Sequence, residues 1–211
     1  VSVRDPLRAG ERGIEILAVL LLGVATIGSA WCGYQATQWN GRSSDLSREQ
    51  SEARVEGARV FGLATQLVFY DATTTAQLAQ AIASEDEALA AFLREALVRP
   101  EFAERIREWE EEVADSGRAP ANLLTDQAYL DAQFAEYREL ETAADALGVE
   151  AREASDNADQ YVLTTLLLAA ALFFAGVTTS FRIRVARVAL LAGSALVIAY
   201  AAATLAELPT L

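Results

Sequence analysis

Histidine, lysine and methionine are all missing from the 211 residues, so each of the 17 cations is an arginine. Without histidine there is no Glu-x-x-His metal site and no Ser-His-Asp or Cys-His nucleophile. Without lysine there is no Schiff base and no P-loop cation. The one cysteine, Cys32, leaves no internal disulfide and says nothing about redox compartment. The glutamates Glu108, Glu110, Glu111 and Glu112 lack the alternating carboxylates and the glycine of a calcium loop, so they read as a solvated face. Other carboxylate pairs lie on amphipathic stretches as surface charge. The expectation is a chain that is not an enzyme and holds no cofactor or metal.

Cations are also scarce where the acids gather. Residues 40–160 hold 26 of the 30 acidic residues and 11 of the 17 arginines, a balance of −15, and the remainder stands at +2. Nucleic acid as a partner is excluded, because its binding needs clustered cations to displace counterions.

What the chain does have is apolar length. No charge occurs between Glu15 and Arg42, and the core 16–33 suffices to cross a hydrocarbon layer as a helix. A secretory leader competes, since Gly28-Ser29-Ala30 resembles a cleavage site, but the uncharged run continues past Ala30. Two further spans are expected at 161–181 and 188–206, bounded by Asp159 and Arg182, then by Arg187 and Glu207. The resulting division is an N-terminal segment 1–13, a first span with its outer interface 14–40, an acidic helical bundle 41–160, the second span, a basic turn 182–187, the third span and a short end 207–211.

Within the bundle, residues 41–83 contain no proline, which lets the first helix continue outward. Phe61, Thr65, Val68, Ala72, Thr75, Ala79 and Ile82 alternate spacings of four and three, a packing seam. Ser84 with Glu87 forms a capping-box pattern for a new helix that ends before Arg99-Pro100. Phe102, Ile106, Trp109 and Val113 then form the stripe of a short amphipathic helix over 101–114. Turn residues over 115–124 place the principal loop. A second long helix follows, capped at Thr125, with Leu130, Tyr137, Ala144, Ala151 and Ala158 recurring every seven residues. The fold class is therefore all-α, three transmembrane helices carrying an elongated, coiled-coil-like helical hairpin.

Orientation follows from arginine placement. Arg4, Arg8 and Arg12 precede the first span, and Arg182, Arg184 and Arg187 sit between the second and third. Three spans put these two short basic segments on one side, which is cytoplasmic, with the bundle and the C-terminal residues outside.

Three groups of residues are candidates for function. Trp31, Tyr34, Gln35, Gln38 and Trp39 are three or four apart and form either a binding ledge or an aromatic belt at headgroup depth, the belt being the commoner use of Trp and Tyr. Glu15, Leu22, Thr26, Ser29, Gly33 and Asn40 fall near one face of the first span and would line a pore if several copies faced inward. Helix packing through small, weakly polar residues is the competing use of that face. Ala195, Ala199 and Ala203 make a small-xxx-small ridge on the third span, suited to close helix contact in lipid. No charge lies deep in any span, which counts against ion-coupled transport.

The segments Trp31-x-x-Tyr34-Gln35-Ala36-x-x-Trp39-x-Gly41, Asp159-x-Tyr161-Val162-Leu163 and Leu172-Phe173-Phe174-Ala175-Gly176 resemble those of a group of uncharacterised bacterial integral membrane proteins. That resemblance covers the membrane-proximal ends rather than the acidic middle. It implies one N-terminal span, a helical outer region, a C-terminal hairpin of spans and a bacterial inner-membrane location, and it brings no catalytic or ligand-binding residue. The expected function is an envelope scaffold or accessory subunit, partnered by the bilayer and forming a homo-oligomer or joining a larger membrane complex. A channel lined by the first span and a sensor whose bundle binds a ligand are the alternatives.

Overall fold

The computed structural model describes residues 6–116 and 126–211, with side chains over 12–115 and 126–211. Most of the loop expected over 115–124 and the cap expected at Thr125 lie outside the described residues. The described residues form helices joined or followed by short turns and extended stretches, with no strand among the described residues. In chain order the helices are α1 (Pro6–Ala83), α2 (Glu87–Phe92), α3 (Pro100–Ser116), α4 (Gln127–Gln133), α5 (Ala135–Val177) and α6 (Arg184–Glu207). α2 runs on as a π-helical turn, Leu93–Leu97, and α5 closes in a 3-10 turn, Thr178–Ser180. The fold is all-α, and three helices are long and apolar enough to cross a membrane, within Arg12–Ala83, Ala135–Ser180 and Arg184–Glu207.

The chain divides into two compact units, one comprising α1 up to Arg48 with everything from Leu147 onward, the other Glu49–Ala146. Residues 41–48 and 147–160, which composition assigns to the acidic bundle, thus pack with the apolar helices. Leu46, Ala151 and Ala154 form a small core there, and Ser43 Oγ donates to Ala151 O at 2.9 Å.

In the first unit α1 turns Ala18, Ala25, Cys32 and Ala36 inward, α5 turns in Tyr161, Leu168, Ala171 and Ala175, and α6 turns in Leu191, Ser194 and Ala201. Most of these are small, so backbones approach closely. Ser194 Oγ reaches Ala171 O at 2.9 Å, and a Cβ on Gly28 would sit 3.0 Å from Leu168 Cδ1. The larger apolar residues point the other way: Ile16, Leu20, Ile27, Leu166, Phe173 and Leu196 are each at least 60% exposed. An apolar surface so extensive suits lipid or a neighbouring helix, not water.

In the second unit the core is Leu78, Ala81, Ala90, Leu93, Phe102, Ile106 and Tyr129. The packing seam of α1 is rotated by one residue from the expected one. Gly57, Val60, Ala64, Asp71, Thr74, Leu78 and Ala81 are buried, whereas Phe61 and Thr65 are exposed and Val68, Ala72, Thr75, Ala79 and Ile82 are only half-buried. The true seam contains a carboxylate, which an apolar template rejects. The expected capping box also gives way. Ser84 Oγ bonds back to Gln80 O within the last turn of α1, and Asp86 is the cap of α2, accepting from Leu89 N at 3.0 Å. Pro100 opens α3, where its missing N–H costs nothing, and Phe102 and Ile106 are buried as the stripe requires. Asp126 caps α4 through Ala128 N, and Phe134 (φ −104°, ψ 11°) separates α4 from α5, so the second long helix starts later than its heptad pattern suggests.

Candidate functional site

The aromatic and amide cluster of α1 is split between two surfaces. Gln35 is fully buried in the first unit and clasps a backbone residue from both sides, its Nε2 donating to Leu211 O at 3.2 Å and its Oε1 accepting from Leu211 N at 3.1 Å. One turn on, Trp39 Nε1 donates to Pro209 O at 3.1 Å. Tyr161, fully buried on α5, donates to the same carbonyl at 3.0 Å. These three side chains hold the extended segment that follows α6, whose C-cap Leu208 has left helical geometry (ψ 136°). An amide that both donates and accepts is matched to the N–H and C=O of one extended residue, and each such bond contributes about 1 kcal/mol.

Trp31, Tyr34 and Gln38 lie outward instead. Trp31 and Tyr34 are half-exposed with ring centroids 5.9 Å apart, and Gln38 Nε2 donates to Tyr34 Oη at 2.9 Å. The five residues therefore make no single ledge. Residues 31, 34 and 38 share one helix face, and 35 and 39 share another that points into the unit. Amide, indole and phenol groups can bind and orient, and none of them is a general acid or base near neutral pH.

The proposed pore face of α1 is only partly engaged in this unit's own packing. Glu15, Thr26, Gly33 and Asn40 are exposed, Leu22 and Ser29 half-buried, and Thr26 Oγ1 spends its proton on Leu22 O at 2.7 Å. Ser29 Oγ is buried without a partner among the described residues. Ala195, Ala199 and Ala203 are also exposed, because α6 meets the rest of its unit through Leu191, Ser194, Ala201 and Leu205.

Sequence patterning missed the second unit's buried polar cluster. Arg99 grips Asp71 with two hydrogen bonds, Tyr129 Oη adds a third at 2.6 Å, and Asp71 is only 1% exposed. The bond to Asp71 raises the guanidinium pKa further, and burial, aided by Asp71, pushes the Tyr129 phenol well above its ordinary value. Arg105 stacks over the Tyr129 ring at 5.6 Å and pairs with Asp126. A signal existed: Asp71 is the only charged residue between Arg59 and Glu85, and it stands seven residues from both Ala64 and Leu78. The cluster ties α1, the start of α3 and α4 together.

The same unit holds a cavity of about 270 Å³ lined by Arg54, Gly57, Phe61, Tyr137 and Glu141. Arg54 is paired with Asp145 at 3.0 Å, and Phe61 packs on Phe134 and Tyr137 with centroids 5.4 and 5.1 Å away. Among the described residues no three acidic or cysteine side chains converge on a metal position. Compared with protein-family models, curated proteins and solved structures, the chain matches none.

Proposed function

We propose that the protein is a non-enzymatic scaffold or accessory subunit of the bacterial inner membrane that associates with other helices in the bilayer, its own copies first among them. The observation that carries this reading is the outward placement of Ala195, Ala199 and Ala203: the small-residue ridge of α6 is left bare by the chain's own packing. Small residues on a lipid-facing helix allow a second helix to come close enough for dispersion contacts and Cα–H bonds. The resemblance of the membrane-proximal segments to bacterial integral membrane proteins supports the location. Orientation has support as well, because Ile14 and Glu15 line one cavity with Thr179 and Arg187, so the start of the first apolar run and the turn before α6 lie at the same end of the first unit. That end is cytoplasmic by the arginine rule, and the acidic bundle faces out toward a partner.

Native mass measurement of the full chain in nanodiscs tests the reading. More than one copy per particle is expected, and Ala199→Leu, which roughens the ridge, should lower the copy number. A strictly monomeric chain that is unchanged by Ala199→Leu refutes self-association. The channel reading has one observation in its favour, the outward face of Thr26, Gly33 and Asn40, which the chain's own packing leaves bare. Ion flux in reconstituted vesicles that is absent in Thr26→Leu would establish it.

A further inference from the structure

At the end of the first unit where α1 enters its apolar run and α6 begins, a cavity of about 70 Å³ lies between Ile14, Glu15 and Ala18 on one side and Thr178, Thr179 and Arg187 on the other. It presents opposite charges that do not satisfy one another. Glu15 is exposed and has no hydrogen bond or ion pair among the described residues. Arg187 is half-buried and anchored, its Nε donating to Phe181 O at 2.6 Å, which leaves the terminal guanidinium nitrogens for something else. Thr178 Oγ1 and Thr179 Oγ1 give their protons to Phe174 O and Gly176 O, so each hydroxyl has only acceptor capacity left. The floor, Ile14 and Ala18, is apolar.

We propose that this cavity seats the headgroup of a lipid carrying a primary amine beside its phosphate, a phosphatidylethanolamine. The proposal rests on the reading of the three helices as membrane spans, since that places Glu15 and Arg187 at the edge of the hydrocarbon, where headgroups are. The volume equals about two waters' share of the liquid. It therefore admits the ammonium and not the whole headgroup. The ammonium has three N–H donors, and the cavity offers acceptors on Glu15 and the two threonines. The phosphate then lies at the mouth against Arg187, whose planar fork suits phosphate oxygens. Arg182 and Arg184 of the same turn draw in any anionic headgroup, so Glu15 is the residue that discriminates. A choline headgroup has no N–H to donate, and a glycerol headgroup brings a phosphate without a cation to face the carboxylate.

The test begins with alkaline carbonate extraction, which reports insertion and is indifferent to headgroup; a chain that is extracted refutes the spans themselves. The full chain is then released from nanodiscs of equimolar phosphatidylethanolamine, phosphatidylcholine and phosphatidylglycerol with the same acyl chains, and retained lipids are counted by native mass spectrometry. Phosphatidylethanolamine should be retained about tenfold over phosphatidylcholine, the effect of a charge-assisted hydrogen bond made or missed. Glu15→Gln should erase that preference and raise phosphatidylglycerol, Thr179→Val should reduce it, and Arg187→Gln should lower retention of all three. Equal retention of the amine and choline lipids, or a preference unchanged in Glu15→Gln, overturns the proposal. Soluble phosphoethanolamine binding to the chain in phosphatidylcholine nanodiscs as tightly as the lipid does would overturn the assignment to a lipid.

Discussion

Arg99 meets Asp71 side-on, Nε to Oδ1 at 2.9 Å and a terminal nitrogen to Oδ2 at 2.5 Å, across 28 residues of sequence. The carboxylate is wholly enclosed and the guanidinium 19% exposed. Removing one member of a buried pair leaves the other charged and unmatched, a cost of about 3–5 kcal/mol. Asp71→Ala should therefore destabilise the second unit by that amount, seen as earlier denaturant unfolding and faster amide exchange around Tyr129. The triple replacement Asp71→Leu, Arg99→Met, Tyr129→Phe should recover most of the loss, because an apolar trio of similar volume has no charge to desolvate. If Asp71→Ala shifts stability by less than about 1 kcal/mol, the cluster contributes far less than its geometry implies.

That pair also marks where the sequence could be read and where it could not. The three apolar helices were legible because a run without charge, such as 16–41, has few competing explanations. The apolar pattern of α1 runs one residue off its buried seam, because a buried heptad position is occupied by Asp71 and made tolerable by Arg99 and Tyr129, both distant in sequence. Ser84 and Glu87 matched a capping box, yet the local geometry gave the cap to Asp86. Spacing grouped Trp31, Tyr34, Gln35, Gln38 and Trp39, but only the position of α5 and of the segment after α6 decides which of them face inward. Tyr161 and Trp39, from two separate segments of the quoted resemblance, meet on one carbonyl of Pro209. Neither segment alone predicts that.

Alkaline titration should expose Tyr129. Burial first, and then the hydrogen bond to Asp71, raise its phenol above the ordinary value of about 10. A raised folded pKa means the fold binds the proton more tightly than the unfolded chain. Its stabilising contribution is thus complete below about pH 10 and is lost as pH climbs from there toward the folded value. The 295 nm absorbance difference between the parent chain and Tyr129→Phe should develop only above about pH 10. A difference signal already half-developed at about pH 10, where an ordinary phenol is half-ionised, would show that the phenol is not enclosed beside Asp71.

Gln35→Ala should release the segment after α6. The two hydrogen bonds to Leu211 each contribute about 1 kcal/mol, and the Trp39 and Tyr161 bonds to Pro209 remain. Local opening rather than global unfolding is expected, with the Leu211 amide exchanging about tenfold faster or more and the helix content unchanged. Exchange at Leu211 equal to that of the parent would mean that this amide is not held by Gln35.

Glu85 offers a site for stabilisation. α1 ends in a Schellman arrangement, with Asp86 N bonded to Ala81 O at 3.0 Å and Glu85 N to Ile82 O at 3.1 Å. That geometry requires a left-handed residue, and Glu85 adopts it at φ 56°, the only non-glycine residue among those described with positive φ. A side chain there costs about 1–2 kcal/mol from the contact of Cβ with the following carbonyl, which glycine avoids. Glycine returns part of the gain as extra freedom of the unfolded chain, about 0.5–1 kcal/mol. Glu85→Gly should therefore stabilise the second unit by about 0.5–1 kcal/mol, and Glu85→Ala, which keeps the Cβ, should leave it nearly unchanged. Denaturant midpoints at constant slope measure both. A loss of stability in Glu85→Gly would mean that the carboxylate itself supports this turn, an interaction that outweighs the strain of its backbone.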